Sequence, residues 1–183
     1  MIQDLLQLVD SYREEMVKTL AELIRIRAVS PDTGGEGEFD KAEYLMSLLD
    51  EFEVERYDAE DDRAKGGIRP NIIAELKGEK KRALWIVTHL DVVPEGDISL
   101  WQTNPFEPVI KEGKIYGRGS EDNGQSIVSS LFAAKAIAKL DLTPKYTLCL
   151  AFVSDEETWV QKFSKVNSLF TPPCSRNKFT TNT

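Results

Sequence analysis

Two uninterrupted apolar runs, Ala83–Thr88 and Tyr146–Val153, each empty directly into a polar cluster, and an amphipathic stretch lies between them. Short runs of this kind, without polar alternation, suit strands covered on both faces. In the intervening stretch, residues 123–140, Ile127, Leu131, Ala134 and Ala138 share a helical face, while Lys135 and Lys139 sit four apart on another. Strand, helix and strand in that order predict a right-handed parallel crossover. The expectation is therefore an α/β fold with a mixed, mostly parallel sheet flanked by helices. In open sheets of this class, ligands bind beyond the carboxyl ends of the strands.

The remaining elements agree with that frame. From Asp4 to about Arg25, the positions of Leu5, Val9, Tyr12, Met16, Leu20, Leu23 and Ile24 predict one amphipathic helix that ends before Ser30-Pro31. Residues 31–38 read as a loop rich in glycine and acid. Phe39, Ala42, Leu45, Met46, Leu49 and Phe52 then line one face of a second helix. A short strand at Val54–Tyr57, a polar connection carrying Gly66-Gly67 and a strand at Asn71–Leu76 complete the pattern, with no internal repeat. A chain of 183 residues suits one such domain with a substantial core.

Charge and composition narrow the partners. With 31 acidic and 23 basic residues, the formal net charge of −8 repels phosphate backbones and anionic lipid, which argues against nucleic-acid and membrane roles. The opening MIQDLLQLVDSYREEM carries acids inside its apolar pattern, so it forms no signal-peptide core, and no stretch approaches a bilayer span. A cytoplasmic protein is expected. Cys149 and Cys174 lack metal-ligand spacing and read as reduced thiols.

Three acid-rich clusters fall where this topology places ligands. His89 and Asp91 follow the first buried run, Asp122 opens the crossover helix, and Glu156 and Glu157 follow the second run. Singly, each has an ordinary structural role: a hydrogen-bonded histidine, a helix N-cap and a solvated acid pair. Jointly, one imidazole and several carboxylates at one rim would repel one another without a cation, and that donor set suits a divalent ion such as zinc.

The strings Thr88-His-Leu-Asp-Val-Val-Pro94, Tyr116-Gly-Arg-Gly-Ser-Glu-Asp122 and Ser154-Asp-Glu-Glu-Thr158 carry a resemblance. In this order and spacing they closely resemble the zinc peptidase and deacylase family of acetylornithine deacetylase, succinyl-diaminopimelate desuccinylase, aminoacylase and carboxypeptidase G. Trp101-Gln-Thr-Asn-Pro-Phe106 also looks like that family's substrate-side loop. The resemblance covers about Leu5 to Thr158, the N-terminal part of the catalytic domain, without the lid and dimerisation domain. It implies a two-zinc site, with cobalt or manganese as alternatives, that hydrolyses amide bonds of N-acyl amino acids or short peptides. His89 would bind one zinc, Asp122 would bridge both and Glu157 would bind the other. Asp91 would hold His89 from behind, and Glu156 would be the general base. Because Glu156 and Glu157 divide these roles, the backbone near Asp155-Glu156 is expected to depart from regular strand geometry. A homodimer is implied for the intact family form.

Departures from the family pattern bear on activity. Asn123-Gly124-Gln125 stands where the family usually carries a lysine-glycine pair, so a charge is missing. After Thr158 the resemblance stops, and Val160–Thr183 holds four basic residues and no acidic one. Residues 159–183 are therefore expected to be a divergent tail, disordered or frame-shifted, on a unit formed by residues 1–158. The family takes a further acid and a further histidine from later sequence, and His89 is the one histidine here. Each zinc would keep two protein ligands, so a truncated, inactive hydrolase is expected, with a non-catalytic module that retains weak metal binding as the alternative. If the family's later strands would have covered the run Tyr146–Val153, its edge is expected to be exposed as well.

Overall fold

The computed structural model describes residues 1–158, and the expectation for the tail lies outside them. Helices α1 (Ile2–Ser11), α2 (Arg13–Arg25) and α3 (Phe39–Met46) precede strands β1 (Glu53–Glu60), β2 (Ile68–Leu76) and β3 (Lys80–His89). A small hairpin of β4 (Val109–Lys111) and β5 (Lys114–Tyr116) follows, then α4 (Ser126–Lys139) and β6 (Tyr146–Val153). The main sheet has the order β1-β2-β6-β3.

The mixed sheet flanked by helices is as the apolar pattern predicts, but its parallel share is smaller. The β3/β6 pair is parallel, while β1/β2 and β2/β6 are antiparallel. The reason is local: the short connection through Gly66-Gly67 returns the chain beside β1, which only an antiparallel pair allows. Strand β6 is paired on both sides, so among the described residues the edges of the sheet are β1 and β3 rather than β6. Nor is β3 covered on both faces. Leu84 and Val87 are 57% and 46% exposed, whereas Leu148 to Val153 of β6 are all buried. An apolar run alone does not distinguish an internal strand from an edge strand.

The predicted first helix is divided at Tyr12, whose backbone leaves helical geometry (φ −80°, ψ 0°) and whose ring stands edge-on to Phe132 at 5.5 Å. The second helix stops at Met46 rather than running to Phe52. Tight turns take over, with Leu48 N–H donating to Leu45 O and Leu49 N–H to Met46 O, and they still deliver Leu49 into the core. That core joins Leu20, Leu23 and Ile24 of α2, Ala42 and Leu45 of α3 and Ile127, Leu131 and Phe132 of α4. These pack against one sheet face bearing Ile72, Ala74, Leu148, Leu150 and Phe152. Burying a Leu or Phe side chain contributes about 1.5–3 kcal/mol, so this cluster fixes the strand ends that carry the site.

Candidate metal centre

The parallel pair sets the site. His89, the last residue of β3, is paired with Val153, the last of β6, so both strands end at one rim. The chain leaving β6 turns at Asp155, where φ is +71°, the expected irregularity, and then presents Glu156 and Glu157. Asp122 comes from the wide turn Ser120–Gln125 that leads into α4. It does not cap that helix; its carboxylate instead lies 2.9 Å from His89 Nε2. The peptide bond between Asp122 and Asn123 is cis.

Donor atoms of His89, Asp122 and Glu157 lie within 4.8 Å of one another. Glu156 stands slightly apart, its Oε2 4.0 Å from His89 Nε2 and its side chain 47% exposed. Asp91 is wholly buried and ties the halves of the rim together. Its carbonyl is 3.0 Å from His89 Nδ1, and its carboxylate accepts the backbone N–H of Glu156 at 3.1 Å and of Glu157 at 2.9 Å. The Asp91 carboxylate itself lies 3.7 Å from Nδ1, so the ring's nearer partner is the carbonyl.

The donor set fits a cation. With Nδ1–H directed at the Asp91 carbonyl, the Nε2 lone pair of a neutral imidazole faces Asp122 and Glu157. Burial pushes the Glu157 carboxyl above its ordinary range, and the negative charges of Asp122, Asp91 and Glu156 push the same way against the pull of His89. A divalent ion at this point would offset that crowding.

Several residues in and behind the rim escape sequence reading. His89 N–H donates to Asn123 Oδ1 at 3.3 Å, so the residue that follows Asp122 supports the histidine's backbone. Arg69, 1% exposed, donates through Nε to Glu38 at 3.0 Å and through Nη1 to Asp155 at 2.6 Å, and its Nη2 bonds Glu38 as well. Burial opposes the charge on Arg69, but the two carboxylates hold it firmly protonated. Burial raises the Glu38 carboxyl, and the guanidinium offsets this only in part. Lys41 is also buried, which pushes its ammonium down to about 8 against the pull of Asp91 and Glu38. Isolated charged letters in a sequence read as solvated surface, and a signal for Arg69 lay only in its place at the entry to an apolar strand.

The Trp101–Phe106 loop is pinned by Trp101 Nε1–H, which donates to Glu95 O at 2.8 Å, and by the Arg118 guanidinium, 5.1 Å above the indole. Ile98 and Trp101 to Pro105 line a hollow of about 370 Å³. Among the described residues, Cys149 is a free buried thiol, and no helix is long and apolar enough to cross a membrane.

Comparison with known proteins agrees with this geometry. Residues 85–164 match the sequence profile of peptidase family M20/M25/M40. An uncharacterized metallohydrolase of Methanocaldococcus jannaschii is 52% identical over 151 residues, covering 79% of this chain and 37% of that protein. A succinyl-diaminopimelate desuccinylase of Thioalkalivibrio sulfidiphilus is 33% identical over 136 residues, covering 74% and 33%. Among solved structures, the di-peptidase Dug1p of Saccharomyces cerevisiae superposes with a TM-score of 0.77 at 23% identity, covering 91% of this chain and 37% of that one. The M20 family metallo-carboxypeptidase Sso-CP2 of Sulfolobus solfataricus gives a TM-score of 0.64 at 30% identity, covering 78% and 31%. The fold is that of a metallopeptidase catalytic domain, of which the chain spans a part. More particularly, the resemblance to the M20 peptidases and deacylases is borne out, over about a third of the length of the relatives that the chain matches.

Proposed function

We propose that this chain carries the metal-binding rim of a hydrolase that cleaves amide bonds of N-acyl amino acids or short peptides. One observation carries the reading: an imidazole and two carboxylates from three separated segments converge within 4.8 Å at the end of a parallel strand pair. Relatives named as a desuccinylase, a di-peptidase and a metallo-carboxypeptidase support it, since all three names describe hydrolysis of an amide bond.

In this reading His89, Asp122 and Glu157 hold the cation, with zinc the first choice and cobalt or manganese accepted by the same donors. When bound, such an ion polarises a carbonyl and acidifies water. Glu156, exposed beside the cluster, takes the proton of the attacking water and returns it to the leaving amine. Asp91 keeps the His89 tautomer fixed through its carbonyl and holds the two glutamates through their amides. The Trp101 hollow, in the loop that resembles the family's substrate-side loop, is a candidate for a substrate wall. The wider activity and the dimer implied for family members concern the whole protein.

The test is metal content and turnover. After loading with zinc or cobalt, the purified chain is expected to hold the ion with His89→Ala lowering its affinity at least tenfold, and hydrolysis is followed on N-acetyl and N-succinyl amino acids. Equal metal binding by wild type and His89→Ala would overturn the site. Metal binding without amide hydrolysis by the chain would favour the alternative of a non-catalytic module for this chain.

A further inference from the structure

The two glutamates at the rim are held from two directions, and only one of them involves the metal cluster itself. Below, the Asp91 carboxylate receives their backbone amides. Behind, three consecutive residues of β2 grip the two residues that precede them. Asn71 Oδ1 accepts Ser154 N–H at 3.0 Å, Pro70 O accepts Ser154 Oγ–H at 2.5 Å, and Arg69 Nη1 donates to Asp155 Oδ1 at 2.6 Å. The same Asp155 oxygen accepts Thr158 Oγ1–H at 2.6 Å, which closes the turn on its far side. Every residue in this grip except Thr158 is buried. Arg69 is in turn fixed by Glu38, which is 0% exposed.

We propose that Arg69-Pro70-Asn71 is a clamp that sets the Asp155 turn and so aims Glu156 and Glu157, making Arg69, acting through Asp155, a positioning residue for metal capture. The inference rests on the reading of the rim as a metal site. It goes beyond that reading by assigning the aim of the acids to a strand that contributes no ligand. The physical need is plain. Asp155 occupies the left-handed region, which disfavours most side chains and which asparagine and aspartate tolerate best after glycine. A turn of that kind persists where surrounding contacts over-determine it, and here those contacts come from β2. The second oxygen of Asp155 finds no hydrogen-bond donor among the described residues, so the Oδ1 bonds to Arg69 and Thr158 are what its side chain supplies.

The pair Asp155→Gly and Asp155→Asn separates the tether from the turn. Glycine accepts the same φ but cuts the tether, and it leaves Arg69 and Glu38 as a neutral pair. Asparagine keeps both the φ and an oxygen for Arg69. Cobalt(II) is titrated into the full chain and followed by its d–d absorption, with amide hydrogen exchange measured in parallel. Expected are wild-type affinity within about threefold for Asp155→Asn and a loss of at least tenfold for Asp155→Gly. In Asp155→Gly the amides of Glu156 and Glu157 should exchange at least tenfold faster while those of β6 do not change, a local signature that general destabilisation would not give. Asn71→Ala, which alters no charge, is the second variant should Asp155→Gly not fold, and the same local pattern is expected. The clamp is overturned if Asp155→Gly matches wild type, if Asp155→Asn loses as much as Asp155→Gly, or if a folded Asn71→Ala matches wild type in both readouts. Failure of the wild-type chain itself to bind cobalt would instead strike the metal-site reading, and this inference with it.

Discussion

Replacing Arg69 by methionine is the most severe single test of how the rim is supported. The guanidinium is 1% exposed and stands between Glu38, 0% exposed, and Asp155, 3% exposed. Methionine fills much of the same volume but leaves two buried carboxylates without the guanidinium that bonds both. Removing one member of a buried ion pair destabilises by about 3–5 kcal/mol, because the partner's desolvation is no longer offset. Against a total domain stability of roughly 5–15 kcal/mol, that is a large fraction. Urea unfolding followed by far-ultraviolet circular dichroism at neutral pH gives the number directly. The pH dependence supplies an internal check. Burial already raises the Glu38 carboxyl while Arg69 opposes the rise, so in the variant it rises further. A carboxyl whose folded value lies above its unfolded one favours folding below the unfolded value, and that stability is lost as pH rises through the folded value. The deficit of Arg69→Met should therefore shrink as pH falls from 7 towards 5. Exchanging all three charges together, as Glu38→Gln, Arg69→Met and Asp155→Asn, should recover more than half of the loss. A deficit below about 1 kcal/mol at pH 7, in the range of an exposed pair, would refute the placing of these charges in the interior.

Three further outcomes follow from the same geometry. Burial holds the Lys41 ammonium down to about 8 from 10.5, so the unfolded chain binds the extra proton between those values and wild-type stability should rise across them, by about 3 kcal/mol; Lys41→Met should lack that rise in urea titrations at pH 7.5 and 10, and an identical rise in both proteins would show that Lys41 is not buried. Asp91→Ala should weaken metal binding by about 10–100-fold, since it removes the carboxylate that holds the Glu156 and Glu157 amides; calorimetric titration with zinc reads this, and an unchanged affinity would deny Asp91 its supporting place. Burial, and then the charge of Glu75, push the Cys149 thiol up to about 12, so in a Cys174→Ser background a disulfide reagent should label it only in denaturant; prompt labelling of the folded protein would contradict its enclosure.

The outline of the fold and the three convergent segments were legible because each rests on a local pattern. The limits of β6 coincide with the apolar run Tyr146–Val153; His89 and Glu157 are marked by the ends of strands and Asp122 by the entry to a helix. What the pattern did not convey is pairing. The run ending at Thr88 has the composition of a covered strand, yet among the described residues β3 has a neighbour on one side only, and Leu84 and Val87 remain exposed. At the break, Tyr12 makes an aromatic contact with Phe132, 120 residues away in the chain, which helical periodicity does not encode. Glu38, Arg69 and Asp155 likewise look like three unrelated surface charges until the sheet brings residues 31 and 86 positions apart within hydrogen-bonding distance. Burial of a charge is a property of its partners, and partners distant in sequence leave no periodic trace.

The alignment of His89 with Val153 has a consequence for making the protein as well as for its chemistry. Sliding one of these two strands by a single position would turn its side chains to the opposite surface and carry the imidazole away from the acids that follow β6. On the proposed reading of the rim, cation uptake would report whether a given preparation has folded in the right alignment.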